Sequence, residues 1–240
     1  MAAEAELAGR SEIHHSHRDV TGGWLRPAVF GVNDGLVSNF ALIAGVAGGS
    51  DKPSTVALAG VAGLIAGAFS MGTGEYVSVA SQSEVAQAEI DVEKSEIRKR
   101  PEAEMRELAL LYESRGVDRE TAARVAEQLS ADPEQAWRIH AREELGIDPD
   151  DLPSPYVAAG SSFVAFSLGA FVPLVPYLLG ATSLLLSLVL SLVALFGTGA
   201  LVARFTKRQW WYSGLRQVLL AAVAAGVTFA VGSLIGSSVG

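Results

Sequence analysis

Acidic side chains recur with helical spacing in the middle of this chain. Glu75, Gln82, Glu89, Glu93 and Glu96 fall at steps of seven, seven, four and three, which keeps them on one face of a continuous helix. Past Pro101, which ends that helix, Glu104 and Glu107 share a face of the next, and further on His140 stands one turn before Glu143 and Glu144. Carboxylates at i,i+3 on two helices, with a histidine and a glutamate at i,i+4 on another, form the kind of ligand set with which helical bundles hold divalent iron or manganese. The same acids also suit an ordinary solvated face, in which Lys94, Arg98 and Arg106 pair with them. Cysteine is absent, so any metal must be held by oxygen, imidazole nitrogen or thioether.

A second group lies in apolar surroundings, where an ionised side chain is costly enough to mark a pathway, a partner or a proton relay. Asp34 falls within Gly31-Val32-Asn33-Asp34-Gly35, and Glu75 follows Met71 by one i,i+4 step, so that thioether and carboxylate face the same way. Asp34, Met71 and Glu75 are therefore candidates to line one passage. The alternative is that Glu75 snorkels to the interface and Met71 is ordinary packing.

The elements that must position these groups follow from the distribution of charge. Residues 152–203 contain no charged side chain, whereas residues 81–151 hold 19 acids against 10 bases. The rest of the chain has 7 against 8, so the net charge of −8 resides in that middle segment. A bilayer core takes about 20 apolar residues per helix. The uncharged stretch thus provides two crossings with a turn at Gly180, Ala181 and Thr182, and two more run from Pro27 to Gly49 and Ser54 to Ser81. A fifth runs from Trp211 to Gly236. Arg10, Arg18 and Arg26 precede the first span and Arg204, Lys207, Arg208 and Arg216 flank the connection before the fifth, against Lys52 alone on the other side. The positive-inside rule then puts the amino terminus and the acidic segment in the cytoplasm, with Trp24, Trp210, Trp211 and Tyr212 at the interface.

The expected fold is all-α: a polytopic membrane protein with five transmembrane helices and a helical cytoplasmic metal-binding domain inserted between helices 2 and 3. The expected divisions are a cytoplasmic segment 1–25, spans one and two in 26–80, the acidic domain in 81–151 and spans three to five in 152–240. Within the domain, helices are predicted for Pro101 to Arg115, Arg119 to Leu129 with an apolar stripe of Ala122, Val125, Ala126 and Leu129, and Pro133 to Leu145. Gly31 to Gly35, Gly45 to Gly49 and Gly63 to Gly67 fit close helix contacts, within or between subunits. No cleavable signal peptide is visible. His14, His15 and His17 read as a solvated amino-terminal segment or as a transient metal-capture site.

Three motifs in order carry a resemblance. Asn33-Asp34-Gly35-Leu36-Val37-Ser38-Asn39-Phe40-Ala41-Leu42, Gly67-Ala68-Phe69-Ser70-Met71-Gly72 with Glu75-Tyr76, and Val172-Pro173-Leu174-Val175-Pro176-Tyr177 resemble the signatures of the vacuolar iron transporter family, over about residues 20–240. The resemblance implies a homodimeric exporter that moves Fe(II), and often Mn(II), out of the cytosol in exchange for protons. It implies a place in the inner cell membrane for a bacterial-type member, and neither an organic cofactor, an enzymatic activity nor a nucleic-acid partner. Asp34 and Met71 carry over as pathway residues, and Glu93, Glu96, Glu104, Glu107 and Glu144 as metal-binding glutamates. His140 stands where relatives place a methionine, and Gly63 and Gly67 where some have a carboxylate and a second methionine.

Under that resemblance, a carboxylate such as Asp34 would couple the two fluxes, because proton and cation compete for the same oxygens. A membrane-anchored metal buffer or sensor is one rival, though it leaves Asp34 unexplained. A ferritin-like oxidase is another, but the module holds one histidine and no pair of Glu-x-x-His motifs. An organic-solute transporter finds no support in the aromatic or basic side chains within the spans.

Overall fold

The computed structural model describes residues 23–50, 52–181 and 183–239, and among them eight helices and no strand. In chain order they are α1 (Leu25–Gly49), α2 (Pro53–Lys99), α3 (Pro101–Ser114), α4 (Arg119–Leu129), α5 (Pro133–Glu143), α6 (Pro155–Leu178), α7 (Leu184–Thr206) and α8 (Trp210–Val239). His14, His15 and His17, with Arg10 and Arg18, lie outside the described residues, as does Thr182. Four helices start on proline, at Pro53, Pro101, Pro133 and Pro155, where a missing N–H costs nothing because the first turn has no intrahelical acceptor for it. Asp118, Asp132 and Ser154 cap α4, α5 and α6 by accepting from backbone N–H groups of the first turn.

Five helices are long and apolar enough to cross a membrane: α1, α2, α6, α7 and α8. The chain is thus the all-α, five-span protein that its charge pattern predicts. The turn between α6 and α7 falls where the sequence places it. Gly180 has φ +84°, its N–H donates to Tyr177 O and the N–H of Ala181 to Pro176 O, which is a Schellman closure that requires the left-handed residue.

α1 packs against all four other spans. Leu36 meets Leu195 of α7 and Ala221 of α8, Phe40 and Ala44 meet Ala225 of α8, and Ile43 meets Val56 of α2 with Leu174 and Tyr177 of α6. Its closest neighbour is α6. A Cβ on Gly31 would stand 2.7 Å from Ser162 O, and one on Gly35 2.8 Å from Ala170 N. Gly45, Gly48 and Gly49 make a similar approach to α8, and Gly63 and Gly67 of α2 face Leu42, Asn39 and Phe166. The small-residue pairs are therefore used within the subunit.

α2 runs unbroken for 47 residues, about 70 Å at 1.5 Å per residue, and so extends well past any hydrocarbon layer. Its last turns join α3, α4 and α5 in a small separate core, in which Ile90 and Ile97 pack on Ala136, Trp137 and Ala141 of α5. Of the stripe predicted for α4, Ala122 and Ala126 are fully buried, while Val125 and Leu129 are partly so.

Candidate functional site

Two groups of chemistry-bearing residues emerge, one within the apolar layer and one in the acidic module. Glu93 lies between Ile90 and Ile97 on the face of α2 that turns into the module, so packing of those isoleucines carries its carboxylate inward. Glu104 occupies the first turn of α3, and His140 the buried face of α5 beside Ala136, Trp137 and Ala141. Glu144 caps that helix one turn on. His140 is fully buried, with Nδ1 3.1 Å from Glu93 Oε1, 2.8 Å from Glu144 Oε1 and 4.0 Å from Glu104 Oε2.

One ligand atom each of Glu93, Glu104 and His140 lies within 4.8 Å of the others. Both ring nitrogens, Glu93 Oε1 and Glu144 Oε1 are buried without a hydrogen bond of acceptable geometry. The close approaches are therefore electrostatic rather than directional, and such a set of donor atoms could surround a cation. Two ionised carboxylates at this separation repel by about 3.5 kcal/mol at an effective dielectric near 20, a repulsion that a protonated His140 or a bound cation would offset.

The module's lysines and arginines do not neutralise it. Lys94 lies over the Trp137 ring at 4.1 Å, Arg98 donates to Lys94 O, Arg115 pairs with Glu143, and Arg138 and Arg142 pair with Asp150 and Asp148. Among the described residues no lysine or arginine forms an ion pair with Glu93, Glu104 or Glu144. Lys94, Arg98 and Arg106 thus do not pair with these three carboxylates, and Glu93 Oε1 and Glu144 Oε1 are buried.

Burial and crowding both act on protonation. Burial raises the Glu104 carboxyl above its ordinary range, reinforced by the charges of Glu93 and Glu107 and opposed by His140. Burial likewise raises Glu144, His140 opposing and Glu93, Glu107 and Glu104 reinforcing. For His140 burial pulls the pKa down, but the contact with Glu93 and the charges of Glu144, Glu93 and Glu104 outweigh it and hold the ring above its ordinary value. Cluster and protons are thus strongly linked.

The remaining predicted glutamates stand further out. Glu107 is exposed and lines a 700 Å³ cleft together with Glu144, Arg106 and Leu110, at the mouth of the cluster. Glu96 is half-buried and 3.8 Å from Arg100, within electrostatic reach of Glu104. Glu89, a turn before Glu93, is exposed and is not among the groups gathered around His140.

In the apolar layer, Asp34 of α1 and Met71 of α2 line one cavity of 280 Å³, whose walls also include Ser38, Asn39, Gly63, Gly67, Ser70 and Phe166. Ser38 Oγ donates to Asp34 O, which fixes the turn of α1 that carries the carboxylate. Gly63 and Gly67 are where Asn39, Leu42 and Phe166 close up against α2, since a Cβ on Gly63 would stand 2.7 Å from Asn39 Oδ1, and one on Gly67 would strike the Phe166 ring. Glu75 does not line this cavity; it lies one turn further along α2, with Oε2 buried and without a hydrogen bond. Asn39 escapes a spacing analysis because two amides in an apolar helix, Asn33 and Asn39, form no periodic pattern. Its signals in the sequence are polarity five residues after Asp34 and its place in the motif from Asn33 to Leu42.

Comparison with known proteins identifies the family. The family model described as the VIT family matches residues 25–233. The chain is 39% identical over 222 residues to a vacuolar iron transporter of Acanthamoeba castellanii, covering 89% of this chain and 79% of the relative. It is 33% identical over 229 residues to vacuolar iron transporter 1 of Oryza sativa subsp. japonica (93% and 90%). The vacuolar iron transporter 1 of Arabidopsis thaliana is also 33% identical, over 227 residues (92% and 90%). Since that match takes in all five spans, the Asp34 cavity and the buried His140 cluster together, the chain belongs to the VIT family.

Proposed function

We propose that the protein exports Fe(II), with Mn(II) as a second cargo, from the cytosol in exchange for protons. The activity is transport rather than catalysis. Asp34 on α1 and Met71 on α2, brought together on the wall of one cavity inside the apolar layer, carry this proposal. A carboxylate and a thioether from two different helices suit a borderline divalent cation, and a carboxylate at that depth is otherwise hard to justify. The relatives' names, each a vacuolar iron transporter, support the same cargo.

The steps follow from the chemistry of the groups. Glu93, Glu104, Glu144 and His140 take up the cation, with Glu96 and Glu107 adding negative charge at the approach, and each binding event releases protons from the cluster. The cation then travels along α2, where Met71 lies 22 residues from Glu93, about 33 Å of helix, and passes Glu75 on the way. Asp34 holds it while ionised and releases it when a proton arrives from the far side. Removal from the cytosol is the same topological event in a vacuolar and in a cell membrane, and for this chain we assign the inner cell membrane. A homodimer, in which two modules face each other across a two-fold axis, completes the proposal.

Reconstitution in liposomes that contain a metal-responsive dye tests it. Fe(II) and Mn(II) influx should depend on a pH gradient and fall to background in Asp34→Asn, which keeps the shape and removes the charge. If no metal crosses while the acidic module still binds it, the protein is a membrane-anchored buffer or sensor.

A further inference from the structure

Asn39 is 2% exposed in the middle of α1, and its two amide ends have different surroundings. Nδ2 donates to Ala170 O across 2.7 Å, in the turn of α6 just ahead of Pro173. Only the nitrogen end can donate, so this bond fixes which way the amide faces. Oδ1 is thereby turned towards α2 at Gly63, and there it is buried and accepts no hydrogen bond. Asn39 and Gly63 line the same cavity as Asp34 and Met71. A buried acceptor without a partner is uncommon in a native structure and calls for an explanation.

An amide oxygen is a hard, neutral donor of the kind that divalent cations accept alongside carboxylates. Unlike Asp34, it has no proton to exchange in the physiological range. We propose that Asn39 Oδ1 is a third cation ligand in the membrane cavity, beside Asp34 and Met71, held in position by the Ala170 carbonyl. The inference rests on the transport reading and deepens it: Asp34 exchanges cation for proton, while Asn39 contributes the same oxygen whatever the pH. It also supplies an oxygen at the place where Gly63 supplies no side chain, without adding charge that would draw in a second proton.

The test uses the full-length protein in liposomes, with Mn(II) influx as the readout. Asn39→Ala should raise KM about tenfold or more while changing the maximal rate far less. Asn39→Asp should lower KM above neutral pH and make transport fall more steeply on acidification, because a second titratable ligand has been introduced. If Asn39 serves only to tie α1 to α6, both variants lose that bond, both lower the maximal rate and thermal stability, and KM and the pH profile stay unchanged; that result overturns the assignment.

A measurement on the unmodified chain does not depend on how the variants fold. Asn33 and Asn39 are the two asparagines of the sequence, and residues 81–151 contain none. With ¹³C-labelled asparagine, a ¹³C hyperfine coupling to bound Mn(II) therefore reports on α1 and not on the acidic module. The coupling should be present, persist in Asn33→Asp and vanish in Asn39→Asp. Mn(II) that binds in an Asp34-dependent way without the coupling, or that does not bind there at all, overturns the proposal. Coupling without any Mn(II) influx would instead leave the ligand standing and remove the transport reading.

Discussion

At His140, burial and charge oppose each other, and charge prevails. Glu104 and Glu144 are raised above the ordinary 4.5 and His140 above the ordinary 6.5, so each holds its proton more tightly in the folded protein than in the unfolded chain. The folded state then binds more protons, and stability falls as pH rises. The contribution is complete below the ordinary values and is lost as pH passes upward through the raised ones. In chelator, unfolding of the module, followed by Trp137 fluorescence in a variant without the other tryptophans, should shift to lower temperature as pH rises above the ordinary carboxyl value of 4.5 and on past the ordinary imidazole value of 6.5. Mn(II) should give an increasing gain over the same window, because cation replaces proton. A module that becomes more stable with rising pH in chelator would contradict this account. Glu93, Glu104 and Glu144 were legible from helical spacing, and so was His140. Glu89 satisfied the same spacing yet is exposed, because periodicity identifies a face of a helix but not the point at which a neighbouring helix covers it. That point is set by Trp137 and the α5 alanines packing on Ile90 and Ile97.

At the scale of elements, two helix starts were legible because proline acts locally: the structure begins α3 on Pro101 and α5 on Pro133, where the sequence places them. The use of the glycines was not legible, since a small residue shows only that something approaches closely. Gly35 and Gly74 separate the cases. A Cβ on Gly35 would stand 2.8 Å from Ala170 N on the α6 backbone, which cannot rotate aside, whereas one on Gly74 would meet nothing within 4 Å. Gly35→Ala should therefore destabilise the protein by about 1–3 kcal/mol through forced separation of α1 and α6. Gly74→Ala should stabilise it by about 0.5–1 kcal/mol through helix propensity alone. Thermal unfolding in detergent micelles reads both. Equal effects at the two positions would mean that α1 and α6 are not in backbone contact at Gly35.

For the whole molecule, the side on which the His140 cluster lies decides the direction of transport under the proposed function, in which the cluster takes up the cation. Five spans place the α1–α2 and α6–α7 connections on one face and the acidic module and the α7–α8 connection on the other. By the positive-inside rule the arginines and lysines would put the second face in the cytoplasm, and Trp24, Trp210, Trp211 and Tyr212, all exposed, lie at the span ends of that face. The chain has no cysteine, so single cysteines report topology without a background. Ser54 and Ser183 are exposed on the first face, and Ala131 and Gln209 on the second. With a membrane-impermeant maleimide, Ser54→Cys and Ser183→Cys should label in intact cells, and Ala131→Cys and Gln209→Cys only in inverted vesicles. A cluster that faced outward would label at Ala131→Cys in intact cells and would make the protein an importer. Its burial against α2, the helix that also carries Met71, would then guide the cation inward along the same route, so the labelling pattern fixes the sign of the function and the fold fixes the path.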